Sequence, residues 1–296
     1  MSTDRTTDPS GAGTLLEISR SLPGHSIAAD SPDLMGYPFF SLGESRRLVP
    51  IRYQSLGVAI AVEGTSEQGI ATIWDADILI WAASQILTAR DERTGTSRLL
   101  LARPAEILHF IGRGHSIEDH DRLRSALDRL QSTTISTSFR QFEGRRWHRF
   151  SWISEWKEHT GAKGWPTRIS LALPDWLYLG LLDGSLSLGF DPVYFTLKGG
   201  LARWLYRLLR FRESGAGQFE FHHLYGRSGM LIWSADFARH MRRIAAEQSL
   251  PGFQLDVIRG PAGQDILTFA RRGPDAPSKS PSAPTTSTTG QGPGRP

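Results

Sequence analysis

One order of elements occurs twice along the chain, and it constrains the fold more than any other feature of the sequence. In residues 107–114 a short apolar helix ends at a glycine-rich turn, and an Arg-rich helix with acidic residues in its first turn precedes a β-rich segment. Residues 221–229 and the segment after them repeat this arrangement in pattern, although not in identity. Two helices joined by a short turn and followed by a β-hairpin form a winged helix. The chain is therefore predicted to be an α+β protein with two winged-helix domains in tandem, related by duplication or by a chance likeness of helical segments.

The first domain is predicted to occupy residues 34–160. Its helices begin with an acid, a proline and a capping serine, and they are expected at residues 75–88, 103–110 and 116–132. Alternating residues at 48–62 indicate strand. The wing hairpin is expected from two β-rich segments around the turn 143–146, namely residues 133–142 and 147–156.

The second domain is predicted to occupy residues 161–272 and to begin in a loop. An alternating segment at 167–173 could finish either domain. Ser234 is expected to cap the last helix of the second domain. Its predicted helices and hairpin strands span residues 174–178, 198–212, 219–225, 235–248, 254–259 and 265–269. The two ends of the chain, residues 1–33 and 273–296, are poor in apolar side chains and are predicted to be flexible.

The charge balance favours a nucleic-acid partner. Residues 34–272 carry 30 Lys and Arg against 24 Asp and Glu, and most of the bases are Arg, which binds phosphate and guanine edges with two hydrogen bonds. A solvated basic surface is the alternative. The absence of Cys excludes disulfides and thiolate metal sites, and no apolar run is long enough to span a membrane. Because the first residues lack the pattern of a secretory signal, a cytoplasmic protein is expected.

No catalytic or cofactor motif stands out in the sequence. The phosphate-binding loop of ATPases and the Gly-x-Ser-x-Gly nucleophile motif are both missing. His222 and His223 are adjacent, whereas a relaxase needs alternating metal-ligating His on a strand. Asp75 and Asp77, at the start of a helix, are expected to be caps rather than a metal pair. The sequence therefore predicts a DNA-binding protein that is not an enzyme and that holds neither a metal nor a cofactor.

The second helix of a helix-turn-helix motif lies in the major groove, so its inner face must be apolar and its outer face basic or polar. In the first domain this outer face would carry Arg122, Ser125 and Arg129, mixed with acidic residues. Arg145 and Arg146 would form the tip of the first wing, where they would contact phosphate. An ordinary solvated helix face is the alternative for the helix.

The second domain is predicted to have the more basic DNA-binding face. Its second helix would present Arg239, Arg242 and Arg243, and Arg271 and Arg272 follow its wing. The helix at 198–212 would carry three Arg at i, i+4 and i+7 behind a Lys-Gly-Gly start, where free N–H groups could bind phosphate. The residues of this predicted backbone contact are Lys198, Arg203, Arg207 and Arg210. The alternative interpretation of these Arg residues is that they form ion pairs on an exposed helix face without contacting DNA.

Seven tryptophans could suggest stacking on bases. Their spacing is instead typical of buried residues, and they are predicted to pack in the core or between the domains. They are Trp147, Trp152, Trp156, Trp165, Trp176, Trp204 and Trp233.

Several segments resemble the replication initiator protein A family of bacterial plasmids. The most specific is the Leu-Ala-Arg-Trp-Leu-Tyr-Arg block at 201–207, supported by residues 38–42, 166–178 and 237–253, and the likeness covers roughly residues 34–272. This resemblance implies two winged helices that bind repeated double-stranded sites in a plasmid origin and recruit the host's initiator ATPase and replicative helicase. It also implies dimers that repress the initiator's own promoter and monomers that act at the origin. A winged-helix transcriptional regulator and a scaffold for acidic proteins are the alternative functions.

Overall fold

The computed structural model describes residues 15–19, 36–55, 57–138, 148–161, 166–184, 192–210 and 215–272. The predicted tail, the predicted wing tip with Arg145 and Arg146, and most of the predicted N-terminal segment lie outside the described residues. Within the described ranges the chain is a mixture of helices and sheets, which confirms the α+β prediction. None of the helices there is long and apolar enough to cross a membrane.

The first unit of the fold contains three helices and eight strands among the described residues. Its helices are α1 (Ala76–Asp91), α2 (Pro104–Phe110) and α3 (Ile117–Ser132). Its strands are β1 (Leu16–Ile18), β2 (Ile51–Ser55), β3 (Val58–Glu63), β4 (Leu99–Ala102), β5 (Thr134–Thr137), β6 (His148–Phe150), β7 (Glu155–Thr160) and β8 (Pro166–Ala172). The strand β1 lies inside the segment that was predicted to be flexible, and it pairs in parallel with β4.

The strands of the first unit form two sheets, and their pairing corrects the predicted wing. One sheet has the order β1-β4-β8-β7 and the other the order β2-β3-β5-β6. The two segments predicted as wing strands therefore contribute to different sheets. The strands β5 and β6 pair with each other and join β3, whereas β7 belongs to the sheet that contains β4. The hairpin beside β4 is β7–β8, in which Ile169 and Leu171 are buried. The predicted domain boundary at 160/161 falls between the two strands of this hairpin, and the segment at 167–173 pairs with strands of the first unit.

The second unit repeats the order of elements with a single sheet. Its helices are α4 (Asp175–Leu182), a 3-10 turn (Pro192–Thr196), α5 (Gly200–Arg210), α6 (Phe221–Ser228) and α7 (Ser234–Ala246). Its strands are β9 (Ala216–Glu220), β10 (Phe253–Arg259) and β11 (Asp265–Arg271), in the sheet order β10-β11-β9. The sequence α5-β9-α6-α7-β10-β11 matches α1-β4-α2-α3-β7-β8, and in both units the last strand lies between the other two. The strand β9 was not predicted, because its Ala-Gly-Gln-Phe-Glu sequence has no alternating apolar pattern.

Local signals explain where the helices of the two helix-turn-helix segments begin and end. Pro104 occupies the first turn of α2, and Ser116 forms a capping box with Asp119 at the start of α3. At α7, however, Ser234 is already helical and Trp233 is the N-cap, without a capping side chain, so the predicted Ser234 cap is wrong. The turn before α7 contains Gly229, whose φ of 62° is a left-handed conformation that favours glycine.

One continuous hydrophobic cluster contains buried residues from both units. The helix α5 is central to it, since every residue from 200 to 209 is buried. The helix α1 is buried almost as completely and packs against α4. The two units are therefore joined through a shared core. The helices α1 and α5 are buried on nearly all sides and do not present a polar face to solvent.

Candidate nucleic-acid interface

The exposed side of α7 is the most basic helix surface among the described residues of the second unit. Phe237, Met241 and Ile244 are buried on the inner side of α7. At 100° per residue Arg239 lies opposite them, and Arg242 and Arg243 lie on either side of it. All three Arg are exposed. Of the Arg239 side chain, 71% is accessible, compared with 47% of the Arg242 side chain. The structure thus places these three residues on one face, as the sequence predicted.

A groove separates α7 from the hairpin β10–β11. Its volume is about 880 Å³, and Arg242, Arg259 and Arg272 line it together with Asp256 and Asp265. Arg242 pairs with Asp265, while Arg259 lies 3.2 Å from the same carboxylate. The groove therefore contains one more base than acid among these five side chains. Arg259 was missed by the sequence reasoning, because it ends a strand and has no basic neighbour in the sequence.

A second groove, of about 680 Å³, lies on the other side of α7, against the start of α5. Lys198, His240 and Arg243 line it together with the acids Glu44 and Glu247. Neither Lys198 nor Arg243 forms a salt bridge with another residue in the described ranges. Two cations that the sequence assigned to separate contacts are therefore found in one groove and are free to bind an anion.

The predicted backbone contact of α5 is wrong for two of its arginines. Arg203 and Arg207 are buried, with only 2% and 5% of their surfaces exposed. The Arg203 guanidinium contacts both carboxylate oxygens of Asp77, at 2.9 and 2.8 Å, and it donates a further bond of 2.8 Å to the Leu197 carbonyl. The counter-charge is thus an aspartate of α1 rather than a phosphate. Asp77 is consequently neither the cap nor the metal ligand considered from the sequence.

Loss of hydration is the largest influence on the pKa of Asp77 in this buried pair. Complete burial raises the pKa of Asp77 to about 6, although Arg203 and Arg207 both act to lower it. Arg203 and Arg207 also lie 4.8 and 5.5 Å from the centre of the Tyr194 ring, within the range of cation–π attraction. Burial raises the pKa of Tyr194 as well. Arg203 therefore contacts the buried carboxylate, and both buried cations lie over one aromatic ring at the junction of the units.

The predicted DNA face of α3 borders a cleft rather than open surface. Arg122, Ser125 and Arg129 line this cleft, whose other wall includes Arg46 and Glu67. Arg122 is exposed and lies within 3.6 Å of two acids of its own helix, whereas Ser125 is half-buried. Arg129 binds both oxygens of Asp75 at 2.7 Å, and this contact raises the pKa of Arg129. Arg129 is therefore a structural residue, and its prediction as a DNA contact is corrected.

The remaining basic residues of the prediction contact uncharged groups: a backbone carbonyl, a side-chain amide and a tyrosine hydroxyl. Arg271 is exposed and donates to the Arg210 carbonyl at 2.6 Å, while Arg272 donates to the Gln248 side chain at 2.8 Å. Arg210 is half-buried and lies 3.3 Å from the Tyr206 hydroxyl. These three residues lie at the edges of the second unit rather than on the exposed side of α7.

The prediction for the tryptophans holds for four of them and fails for one. Trp152 and Trp204 are buried, and Trp156 and Trp176 pack against the core, whereas Trp147 and Trp165 lie outside the described residues. Trp233 is 82% exposed. Its spacing from Phe237 and Met241 suggests a continuous buried stripe. At the N-cap, however, the backbone is extended (φ −64°, ψ 146°), and the side chain leaves the buried face of the helix.

One group of three side chains in the described ranges could hold a metal ion. Glu220, His222 and His223 bring a ligand atom each within 4.8 Å of one another at the junction of β9 and α6. The His222 Nδ1 and Glu220 Oε2 atoms are 3.0 Å apart, which is hydrogen-bond geometry. Both His are exposed, so that this group lies on the surface rather than in a closed site.

Known proteins share both the sequence and the fold of this chain. A protein of Wigglesworthia glossinidia brevipalpis named "Putative replication protein" is 28% identical over 247 residues, which cover 80% of this chain and 86% of that protein. A crystal structure of domains 2 and 3 of RctB is similar with a TM-score of 0.62 and 17% identity, covering 82% of this chain and 99% of that one. A second structure of these RctB domains has a TM-score of 0.56 and 16% identity, covering 79% and 95%. Residues 29–255 match the replication initiator protein A family. The chain therefore belongs to the replication initiator protein A family.

Proposed function

We propose that this chain starts replication by binding double-stranded DNA at a plasmid origin, with α7 inserted in the major groove. The observation that carries the proposal is the exposed side of α7, where Arg239 lies opposite the buried residues and Arg242 and Arg243 flank it. A helix of this kind can present its Arg side chains to guanine edges, which accept two hydrogen bonds from one guanidinium. The order helix, strand, helix, helix, hairpin supports a winged-helix assignment for each unit.

The two grooves beside α7 are suited to the two phosphate backbones that border a major groove. On the hairpin side Arg242, Arg259 and Arg272 would approach one backbone, and on the other side Lys198 and Arg243 would approach the second. Arg243 and Lys198 have no competing acid in a salt bridge within the described residues, so phosphate would not have to displace one. Arg239 and Arg242 would exchange their present partners, Asp236 and Asp265, for DNA.

The chemistry that follows binding would be mechanical rather than catalytic. Opening of an AT-rich segment would follow from bending of the bound duplex and from loading of the host's initiator ATPase and replicative helicase. Membership in the family supports this role, and so does the likeness to a replication protein. A dimer that represses the initiator's own promoter would use the same DNA-binding face.

The α7 contact is tested by the pair of substitutions Arg239→Ala and Arg243→Ala. We expect the double variant to lose affinity for its DNA and the slope of log affinity against log salt to fall by up to about two, because each lost phosphate contact contributes about 0.9. The matched control is Arg52→Ala with Arg90→Ala, which removes the same charge from exposed residues of the first unit. Equal affinity and slope in wild type and double variant would show that α7 is not the contact.

Initiation itself is tested by plasmid maintenance. The gene and its flanking DNA are placed on a plasmid that has no other origin, and replication is scored in the host. Maintenance by the wild-type gene, and its loss in the Arg239 and Arg243 double variant, would support initiation. Intact DNA binding without maintenance would favour a transcriptional regulator instead.

A further inference from the structure

Two large apolar side chains are exposed at the turn that leads into α7. Leu231 is 61% exposed and Trp233 is 82% exposed. Trp233 is the N-cap of α7, so it precedes Arg239 by six residues, or about 9 Å along the helix axis. A pair of large exposed apolar side chains at the start of a basic helix is a surface that fits a partner.

The backbone of this turn is held in place before the exposed pair and between its two residues. Arg47 donates a hydrogen bond to the Gly229 carbonyl, and the left-handed Gly229 packs against Pro38. The Tyr225 hydroxyl donates to the Ile232 carbonyl at 2.8 Å, between the two exposed residues. The fold therefore imposes the exposure of Leu231 and Trp233. Little backbone conformational entropy would be lost when these residues bind a partner.

The first unit shows the same feature at the equivalent place. Ile117 is the first residue of α3 and is 74% exposed. In both units a large apolar side chain thus projects where the second helix of the helix-turn-helix segment begins. The N-terminal residues of this helix are the ones that reach the base edges in helix-turn-helix proteins.

We infer that Leu231 and Trp233 contact thymine methyl groups in the major groove, an inference that rests on the function proposed above. The thymine methyl is the apolar group that base pairs present in this groove. The basic residues along the same helix, with Arg239 at its centre, select a polyanion over an apolar protein surface. The contact would let the protein read A·T pairs where arginine reads guanine.

The test compares one DNA fragment in two chemical forms. The DNA that flanks the gene is amplified with dTTP or with dUTP, which removes every thymine methyl and keeps the base pairing. We expect wild-type affinity to fall about four-fold for each methyl contact that is lost. Trp233→Ala should bind the thymine form about tenfold more weakly than wild type, and its preference for the thymine form should be smaller than that of wild type, because only Leu231 would still contact a methyl group.

Three results would overturn the inference. Trp233→Ala could keep the wild-type affinity, or it could lose affinity while keeping the wild-type ratio between thymine and uracil DNA. It could also leave DNA binding intact and change the mass of the protein in solution, which would make the exposed pair a contact between two copies of the chain. A wild-type protein that does not distinguish the fragment from unrelated DNA would refute the proposed function and this inference together.

The controls separate the contact from folding. Leu179→Ala removes an apolar side chain that is 58% exposed on α4, a helix that packs against α1, and should leave both affinities unchanged. Trp233→Phe keeps an apolar ring and should retain most of the preference for thymine DNA. The melting temperatures of all variants should stay close to that of the wild type, because each substituted side chain is largely exposed.

Discussion

Replacing Arg203 by Met tests whether this residue stabilises the junction of the two units or contacts DNA. The substitution removes the guanidinium that contacts Asp77 at 2.8 Å, and it leaves a carboxylate with no exposed surface in the core. Removing one partner of a buried pair costs about 3–5 kcal/mol because the other charge stays buried without compensation. We expect a loss of this size in the free energy of unfolding at pH 8, measured by urea denaturation with far-ultraviolet circular dichroism.

The loss should depend on pH. In the wild type the pKa of Asp77 is raised from 3.8 to about 6, so folding takes up a proton between these pH values and stability falls as the pH rises through that window. Arg203 lowers the pKa of Asp77, so its removal extends the window to higher pH. Wild type and variant should therefore differ least near pH 5, where the carboxyl is protonated in both folded proteins, and most near pH 8.

A second variant isolates the charge. Combining Arg203→Met with Asp77→Asn removes both charges and should recover part of the stability that the single variant loses at pH 8. The reasoning would be refuted by equal losses at pH 5 and pH 8. It would also be refuted if Arg203→Met kept the wild-type stability and weakened DNA binding, since that result would restore the interpretation from the sequence.

Two further substitutions test the packing around the candidate interface. Arg129→Ala should lower the free energy of unfolding by about 2–3 kcal/mol, because it removes two hydrogen bonds from the buried Asp75 carboxylate; a change below about 0.5 kcal/mol would contradict this structural role. Gly229→Ala should destabilise by about 1–3 kcal/mol, since its φ is 62° and its new Cβ would lie 2.8 Å from the Pro38 side chain. Gly226→Ala is the matched control, because a Cβ at this position inside α6 would meet open space. In thermal melts of both variants, it should leave the melting temperature unchanged or raise it.

The elements that the sequence predicts well are those defined by neighbouring residues. The helix α3 begins where Ser116 and Asp119 can cap it, and the hairpin β10–β11 surrounds a Gly-Pro turn. The Arg side of α7 follows from the helical period, since its buried residues recur three and four positions apart. For these features a window of about fifteen residues contains the physical cause.

The features that could not be predicted depend on distant partners or on the backbone conformation at a helix end. Arg203 reads as an exposed cation until Asp77, 126 positions away, is placed beside it. The hairpin beside β4 was predicted at the wrong residues because β4 pairs with β8, across more than sixty residues, and no local pattern specifies that pairing. Trp233 has the spacing of a core residue, but the extended backbone of a helix cap turns its side chain outward. In each case the deciding contact or dihedral angle is not encoded in the local apolar pattern.

The burial of α5 has a consequence for the DNA as well as for the protein. Since the two units share one core, surfaces of the two units that contact DNA would be held at a fixed separation and a fixed angle. A duplex that contacts both units must present its two contact regions in one rotational phase, because B-DNA completes a turn in about 10–10.5 bp. Inserting five base pairs between those regions would carry one of them to the far side of the duplex. The natural DNA sites of the protein would therefore share a constant spacing between the two contact regions, even where their base sequences differ.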